Sequence, residues 1–252
     1  MKNKLCVVII SFDKYLHLSE ITYLSILKFW PENKYDIFYI SNFGRFSRNY
    51  NGISRISVGK DYSWSSSLSK ALIELNKEYD YVLTLIDDLV LTKNVNNNEI
   101  ELVLEEFFKI DGDCIKLINK PKPNKLINKY FGELKDKSPY RATVVFTVWK
   151  IKTLLNTLSE KESAWDFEKN AVNRLNHNHK FYSVYTSKFT FFNTVIKGKY
   201  QLRFKKIIKD LNIDQSILPE IKYFTLQDIL KRQFLKFRHK VYMLLSNLFF
   251  RS

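Results

Sequence analysis

The chain alternates between short runs of consecutive apolar and β-branched residues and longer stretches in which apolar residues recur every three or four positions. The first pattern is typical of buried strands and the second of amphipathic helices. Together they predict strands over residues 5–12, 35–41, 53–58, 114–118 and 141–149, a strand that starts at residue 79 and ends at Asp87 and Asp88, and a Lys-rich loop over 120–137. They predict helices over 19–30, 63–75, 98–108, 151–158 and 163–175, with Ser19 and either Ser63 or Ser65 as N-caps.

The first six elements follow the order strand, helix, strand, strand, helix, strand. This order predicts an α/β domain built on a mostly parallel sheet. In such sheets, ligands bind beyond the carboxyl ends of the strands. Asp87 and Asp88 interrupt the apolar run YDYVLTLIDDLVLT at such an end, so we expect a functional cleft there.

The two adjacent carboxylates suggest a metal site. Removing both from water is costly unless a cation or several hydrogen-bond donors compensate. Mg²⁺ and Mn²⁺ prefer carboxylate oxygens, and Mg²⁺ keeps positions for water and substrate phosphates. Asp87 and Asp88 are therefore candidate metal ligands. The alternative is that they only form a turn or cap a short helix.

Composition predicts one folded domain with a basic appendage. A chain of 252 residues that is 45% hydrophobic can bury a large core, which excludes a disordered protein. The 41 Lys and Arg residues exceed the 26 Asp and Glu residues by 15, which indicates an anionic partner such as nucleic acid, a membrane or a phosphorylated substrate. From Lys199 onward there are twelve basic and four acidic residues, so the tail carries eight of these net charges.

The tail also carries a hydrophobic repeat. Its apolar residues recur at helical spacing with Lys and Arg between them: Leu226, Leu230, Phe234, Phe237, Val241, Leu244 and Leu248. This pattern predicts a helix that lies on an anionic membrane surface. The alternative is a helix docked on the first domain or on a second copy of the chain.

Cysteine usage and the chain start indicate a cytoplasmic protein. Cys6 and Cys114 are the only cysteines, so neither a disulfide framework nor a Cys/His zinc site can be built. The apolar segment after the first lysines is cut by Asp13 and Lys14 at about half the length of a membrane span, and no small-residue cleavage site follows. We therefore interpret it as the first strand of the sheet.

Four segments, in this order, resemble a known enzyme family. They are the strand LCVVIISFDK, the helix start DYSWSSSLSKAL, the strand-end acids IDD, and WDFE followed by a polar stretch and IKGKY. Together they resemble nucleotide-sugar-dependent glycosyltransferases with the GT-A fold, of the small bacterial kind that builds surface polysaccharides. The resemblance implies a GT-A-like (Rossmann-like) catalytic domain over residues 1–200 and a basic helical extension over 201–252.

The resemblance implies transfer of a sugar from a nucleotide sugar, with a UDP-sugar favoured, to a hydroxyl of a lipid-linked or growing surface glycan such as capsule, O-antigen or lipooligosaccharide. Mn²⁺ or Mg²⁺ held by Asp88 would neutralise charge on the leaving diphosphate. Asp88 matches the last position of the family's Asp-x-Asp motif and Asp87 the middle one. The sequence departs from the motif at Ile86, which stands where the first acid is expected.

A carboxylate near the start of the Trp165 helix is the expected general base. Asp166 and Glu168 both qualify, and only one of them can face the cleft because they lie two positions apart on a helix. The family's acidic motif favours Asp166, and a carboxylate base favours inversion at the anomeric carbon. The alternative is that Asp166 only stabilises the positive end of the helix.

Three residues are candidates for contacting the nucleotide. Ser11 and Asp13 follow the first strand, where the resemblance implies that the base and ribose bind, although Asp13 could equally form a turn. Trp64 could stack on the base or pack against the sugar, and its alternative role is in the core.

Basic residues nearer the C-terminus are candidates for the metal and the diphosphate. His177 and His179 could ligate the metal or donate to the diphosphate, and the alternative is a solvated loop. Lys197 and Lys199 flank a glycine that lets the backbone approach a diphosphate closely, and Arg141 is a further candidate.

Two other classes of function fit part of the sequence. A metal-dependent nuclease would combine the strand-end acids with Glu133 and Lys135 and place the basic tail on DNA. Against it, the Glu133–Lys135 segment is predicted to lie in a loop, whereas such an active site needs rigid support, so we expect no nucleic-acid partner. The second of these classes is a non-catalytic scaffold bound to a membrane.

Overall fold

The computed structural model describes residues 4–60, 62–175, 178–214, 218–219, 222–225 and 228. The chain divides into two compact units, Met1–Asn193 and Thr194–Ser252. The site residues that follow the first strands all belong to the first unit.

The first unit is built on a nine-stranded sheet. Its strands, in chain order, are β1 Leu5–Ile10, β2 Ile37–Ser41, β3 Ile53–Ser57, β4 Tyr81–Ile86, β6 Cys114–Lys116, β7 Lys125–Leu126, β8 Phe131–Glu133, β9 Thr147–Lys150 and β10 Phe181–Val184. A separate pair joins β5 Leu89–Leu91 and β11 Phe191–Asn193. The strands of the large sheet follow the order β3-β2-β1-β4-β9-β6-β10-β8-β7. Only β9 and β8 run against the others, so the sheet is mostly parallel.

In the described part of the first unit, five helices flank this sheet: α1 Leu16–Phe29, α2 Trp64–Leu75, α3 Asn97–Lys109, α4 Ile151–Thr157 and α5 Ala164–Arg174. A 3-10 turn over Asp13–Tyr15 precedes α1. Ser63 caps α2 by accepting from the backbone amide of Ser66, and Asn96 caps α3 by accepting from that of Glu99. Of the two predicted caps for α2, Ser63 is therefore the one used.

Both faces of the sheet are buried. Alternate residues of a strand point to opposite faces, so each central strand contributes side chains to both sides of the sheet. In β1, Val7 and Ile9 join one core cluster, and Cys6, Val8 and Ile10 join the other. Burial on both faces explains why the central strands read as continuous apolar runs. The predicted α/β class, with a mostly parallel sheet flanked by helices, is confirmed.

Three local predictions were wrong. Helix α1 starts at Leu16, and Ser19 lies buried inside it, because Leu16 and Leu18 gain burial from an earlier start.

The second wrong prediction is the loop over residues 120–137. This segment contains the hairpin of β7 and β8. The side-chain oxygen of Asn128 holds the turn of the hairpin by accepting from the backbone amides of Tyr130 and Phe131.

The third wrong prediction concerns residues 141–149, which do not form one long strand. Strand β9 begins only at Thr147, because Phe146 has a positive φ of 46° that ends the extended conformation. The indole of Trp149 donates to the carbonyl oxygen of Thr143 at 2.8 Å and holds the preceding segment folded back.

The second unit contains a short hairpin of β12 Val195–Ile196 and β13 Lys199–Tyr200, followed by α6 Phe204–Asp210. The backbone of Tyr200 also bonds to that of Lys222 and Phe224. The amphipathic helix predicted after residue 225 lies, except for Asp228, outside the described residues. Among the helices that are described, none has the length and apolar character needed to cross a membrane.

Candidate functional site

Asp87 and Asp88 form the turn between β4 and β5. Strands β1 and β2 run parallel to β4, so Ser11, Asn42 and Asp87 each follow a strand at the same edge of the sheet. This edge, which we call the carboxyl edge, is where the sequence predicted the functional cleft.

Hydroxyl groups from neighbouring elements hold the acidic turn. Ser11 Oγ donates to Oδ2 of Asp87 at 3.0 Å. From α1, Thr22 Oγ1 donates to the carbonyl oxygen of Asp87 at 2.8 Å and lies 3.3 Å from that of Leu89. Ser25 accepts from the backbone amide of Leu91 at 3.0 Å. The helix thus fixes the backbone that presents the acids.

Both carboxyl groups of the turn bind protons more tightly than usual. Burial raises the pKa of Asp87 to about 8, with the charge of Asp88 as the second cause. Burial also raises the pKa of Asp88 to about 6. Raised pKa values mean that ionising these groups is unfavourable where they stand. A bound cation would reverse that penalty.

The donor set of the turn fits a hard divalent cation. Two carboxylates are the oxygen ligands that Mg²⁺ and Mn²⁺ prefer. Within the described ranges, no group of three or more His, Cys, Asp and Glu side chains is placed to hold a metal. Asp87 and Asp88 would therefore supply part of a coordination shell and leave positions for water and phosphate oxygens.

Asp13 organises the loops of the carboxyl edge. Its carboxylate accepts from the backbone amides of Asn42 at 2.8 Å, Phe43 at 3.0 Å and Gly44 at 3.0 Å. The side chain of Asn42 in turn donates to the carbonyl oxygen of Gly59 at 2.9 Å. These bonds favour the turn-forming alternative for Asp13, while its contact with a nucleotide stays a prediction.

The start of α5 lies at the same edge. The backbone amide of Ser65, at the start of α2, donates to the carbonyl oxygen of Glu162 at 3.2 Å, and Ser65 Oγ accepts from the Glu162 amide at 3.1 Å. Helix α2 leads into the amino end of β4, so its own start lies at the carboxyl edge. The pairing with Glu162 brings the first turn of α5 there too.

Asp166 and Glu168 have different environments on α5. Asp166 forms a capping box with Ser163, whose hydroxyl and backbone amide both donate to its carboxylate. These bonds lower the pKa of Asp166. The structure therefore engages Asp166 in stabilising the helix start, as the alternative role for this residue anticipated.

Glu168 contacts the segment that precedes β9. Thr143 donates to its Oε1 at 2.6 Å, and its charge acts on the buried Lys116. Among the described residues, no bond is made to Oε2. Thr143 belongs to the segment that leads into β9, the strand that pairs with β4.

Trp64 is partly buried and packs on Phe167 with a ring separation of 5.5 Å. This contact joins α2 to α5 and matches the core alternative. Stacking on a nucleobase stays a prediction.

His179 is not brought together with Asp88. It precedes β10, which runs in the same direction as β4, so it lies at the amino edge, whereas Asp88 follows the carboxyl end of its strand. His177 lies outside the described residues. The two candidate metal ligands Asp87 and Asp88 are therefore not joined by His179, and the described residues offer them no third His, Cys, Asp or Glu ligand.

Arg141 is buried and already engaged. Its guanidinium donates to the carbonyl oxygen of His179 at 3.1 Å, pairs with Asp136 at 3.0 Å, and lies 4.8 Å from the ring centre of Phe181. Within the second unit, Lys199 pairs with Asp228 at 2.8 Å. The proposed diphosphate contacts of Lys197 and Lys199 stay predictions.

The placement of Glu133 weighs against the nuclease interpretation. Glu133 ends β8, and three strands, β9, β6 and β10, separate β8 from β4. Its carboxylate lies 3.4 Å from Lys125 on the neighbouring strand. Glu133 and the acidic turn therefore do not form one site.

Sequence reasoning missed Thr22 and Thr143. The hydrophobic pattern places Thr22 in an amphipathic helix and Thr143 in a strand, and it predicts no functional role for either residue. Both are buried threonines whose hydroxyls contact the acidic residues or their backbone. A polar residue at a predicted buried position is the signal that could have found them.

No family model and no curated protein matches this sequence. Several solved structures have a similar arrangement of strands and helices at low sequence identity. The 2-C-methyl-D-erythritol 4-phosphate cytidylyltransferase from Thermus thermophilus is 13% identical with a TM-score of 0.49, over 83% of this chain and 100% of that one. UDP-glucose pyrophosphorylase complexed with UDP-glucose is 10% identical with a TM-score of 0.48, over 76% and 93%. S. aureus TarS is 11% identical with a TM-score of 0.41, over 92% of this chain and 42% of that one. All three TM-scores are below 0.5, so these likenesses carry no functional argument.

Proposed function

We propose that this protein is a glycosyltransferase that moves a sugar from a nucleotide-sugar donor, with a UDP-sugar favoured, to a hydroxyl of a lipid-linked or growing surface glycan. The observation that carries the proposal is the acidic turn. Asp87 and Asp88 stand at the carboxyl edge of a mostly parallel sheet, and burial raises the pKa of both. Two adjacent carboxylates that are costly to ionise are stabilised by a bound cation, and that cation can in turn bind an anionic ligand.

Asp88 and Asp87 would hold Mn²⁺ or Mg²⁺, which when bound would offset the negative charge of a diphosphate leaving group. Ser11 orients one carboxylate through its hydrogen bond to Oδ2 of Asp87. Thr22 fixes the backbone of the turn. These two hydroxyls hold the carboxylate and the backbone of Asp87, and preorganisation of this kind is what makes electrostatic stabilisation effective.

Glu168 is the better candidate for the general base. The Asp166 carboxylate is committed to the capping box, and its lowered pKa makes it a weaker proton acceptor. Glu168 is oriented through Oε1 by Thr143, and Oε2 is the atom that would take the proton of the acceptor hydroxyl. This assignment replaces the preference for Asp166 that the resemblance suggested.

The basic tail supports a surface-glycan acceptor. Eight of the net positive charges lie from Lys199 onward. A basic amphipathic helix on an anionic membrane would bring the enzyme to a lipid-linked acceptor. Loss of liposome flotation on truncation after Thr225 would support this role, and undiminished flotation would contradict it.

The donor site is tested by calorimetric titration of UDP and GDP into the full chain, with and without Mn²⁺. We expect one nucleotide to bind only with the metal, and Asp88→Ala to abolish that binding. Glu105→Ala, which removes an exposed carboxylate on α3, is the matched control and should bind as the unaltered chain does. Failure of both nucleotides to bind, or metal-independent binding that Asp88→Ala leaves intact, would contradict the proposal.

A further inference from the structure

A pocket of about 410 Å³ lies between α5 and the segment that precedes β9. On the helix it is lined by residues at positions 165, 168, 169, 172 and 173, a spacing that puts them on one face. Residues 137–140 form the opposite wall. The volume is within the range of sites for small ligands.

Two exposed aromatic rings border this pocket. Trp165 is 73% exposed and Tyr140 is 60% exposed. Large exposed aromatic side chains in one place commonly mark a binding site. Glu168 and Asn173, whose side chains carry a carboxylate and an amide, also line the pocket. Flat apolar surfaces beside a few hydrogen-bonding groups match a pyranose ring, which has an apolar C–H face and hydroxyl groups around its rim.

The backbone of Tyr140 is held in an unusual conformation. Its φ of +60° lies in the left-handed region, which is unfavourable for residues other than glycine and persists only where the surroundings enforce it. The ammonium group of Lys116, a residue 1% exposed, donates to the carbonyl oxygen of Tyr140 at 2.8 Å. A buried cation is thus used to fix the residue whose ring borders the pocket.

We propose that this pocket binds a pyranose ring of the acceptor glycan, with Trp165 and Tyr140 as its stacking surfaces and Lys116 as a positioning residue. The inference rests on the proposed function and deepens it, because Glu168 lines the pocket and would receive a proton from a hydroxyl of the bound sugar. A nucleobase could also stack on an aromatic ring. The donor, however, is expected at the acidic turn, and the test below separates the two occupants.

The test is saturation-transfer NMR on the full chain with methyl β-D-glucopyranoside and methyl β-D-galactopyranoside as probes. We expect transfer to the ring C–H protons of at least one probe, and a loss of at least about fivefold in Trp165→Ala and Tyr140→Ala. Leu126→Ala is the control, because Leu126 is 73% exposed on β7 and does not line the pocket. Nucleotide titrations should be the same for all three variants.

Lys116→Met removes the donor to Tyr140 but keeps an unbranched side chain. We expect it to lower saturation transfer without changing the nucleotide titration, a combination that general unfolding would not produce. Absence of transfer to both probes, or equal transfer in Trp165→Ala and the unaltered chain, would overturn the inference. Weakened nucleotide binding in Trp165→Ala would overturn it as well, by assigning the rings to the donor.

The two proposals fail separately. Nucleotide binding without any binding of the glycosides would remove the acceptor pocket and leave the proposed function in place. Glycoside binding that depends on Trp165, in a chain that binds no nucleotide, would leave a carbohydrate site and remove the transferase.

Discussion

Ser11 donates a hydrogen bond of 3.0 Å to Oδ2 of Asp87, and this bond joins the residue after β1 to the residue after β4. It is also the largest of the influences that lower the pKa of Asp87 against the effect of burial. The two residues are 76 positions apart in the chain. Their contact fixes the orientation of the Asp87 carboxylate, which would bind the cation.

We therefore expect Ser11→Ala to weaken binding of Mn²⁺ at pH 7. Loss of one hydrogen bond to a charged group corresponds to about 1.5 kcal/mol, or roughly a tenfold weaker affinity. Calorimetric titration of Mn²⁺ measures the effect directly. Ser54→Ala, at an exposed position of β3, is the control. Equal affinity in Ser11→Ala and the control would show that Ser11 does not orient the site.

The metal-free protein should lose stability as the pH rises from about 4 to about 8. The pKa of Asp87 is raised from 3.8 to about 8 by folding, so over this interval the folded state keeps a proton that the unfolded state has released. Each kcal/mol lost lowers the melting temperature of a chain of this size by about 2–4 °C. Thermal unfolding in EDTA at several pH values measures the trend.

Asp87→Asn should reduce that dependence, because the amide does not titrate and only the smaller pKa shift of Asp88 remains. Added Mn²⁺ should stabilise the unaltered chain most at high pH, where it competes with the fewest protons. A melting temperature that rises between pH 5 and 8 in EDTA would contradict the assigned shift.

Asp166→Ala should lower stability while leaving catalysis intact. The variant removes the capping box at the start of α5, so the melting temperature should fall by a few degrees. Release of UDP from a UDP-sugar substrate should keep its rate at a temperature where the variant is folded. Glu160→Gln, an exposed change just before the helix, controls for loss of charge. A large loss of rate with unchanged stability would return the role of base to Asp166.

Glu168→Gln should have the opposite profile. The amide keeps the size of the side chain but cannot take a proton, so we expect the rate of UDP release to fall by about 10²–10⁴-fold. Binding of the nucleotide with Mn²⁺ should be unchanged, because the acidic turn is intact. A rate within a few-fold of the unaltered chain would exclude Glu168 as the base.

The sequence predicted well those elements whose hydrophobic pattern agrees with their burial. Strand β4 is apolar except for Thr84 because both of its faces are covered, and α3 shows a clear amphipathic repeat between its Asn96 cap and Lys109. The predictions failed where contacts with distant residues decide the conformation. Phe146 ends an apparently continuous strand, and Ser19 is enclosed in a helix rather than starting it.

By itself, the sequence determined the α/β class and the position of Asp87 and Asp88 at a strand end, because hydrophobic periodicity and charge are local properties of the chain. Only the tertiary structure decided which side chains meet at that end. Ser11 and Thr22 contact the turn, Thr143 orients Glu168, and His179 lies at the other edge. These relationships depend on strand direction and helix packing, which bring together residues that are far apart in sequence and carry no local mark of their neighbours.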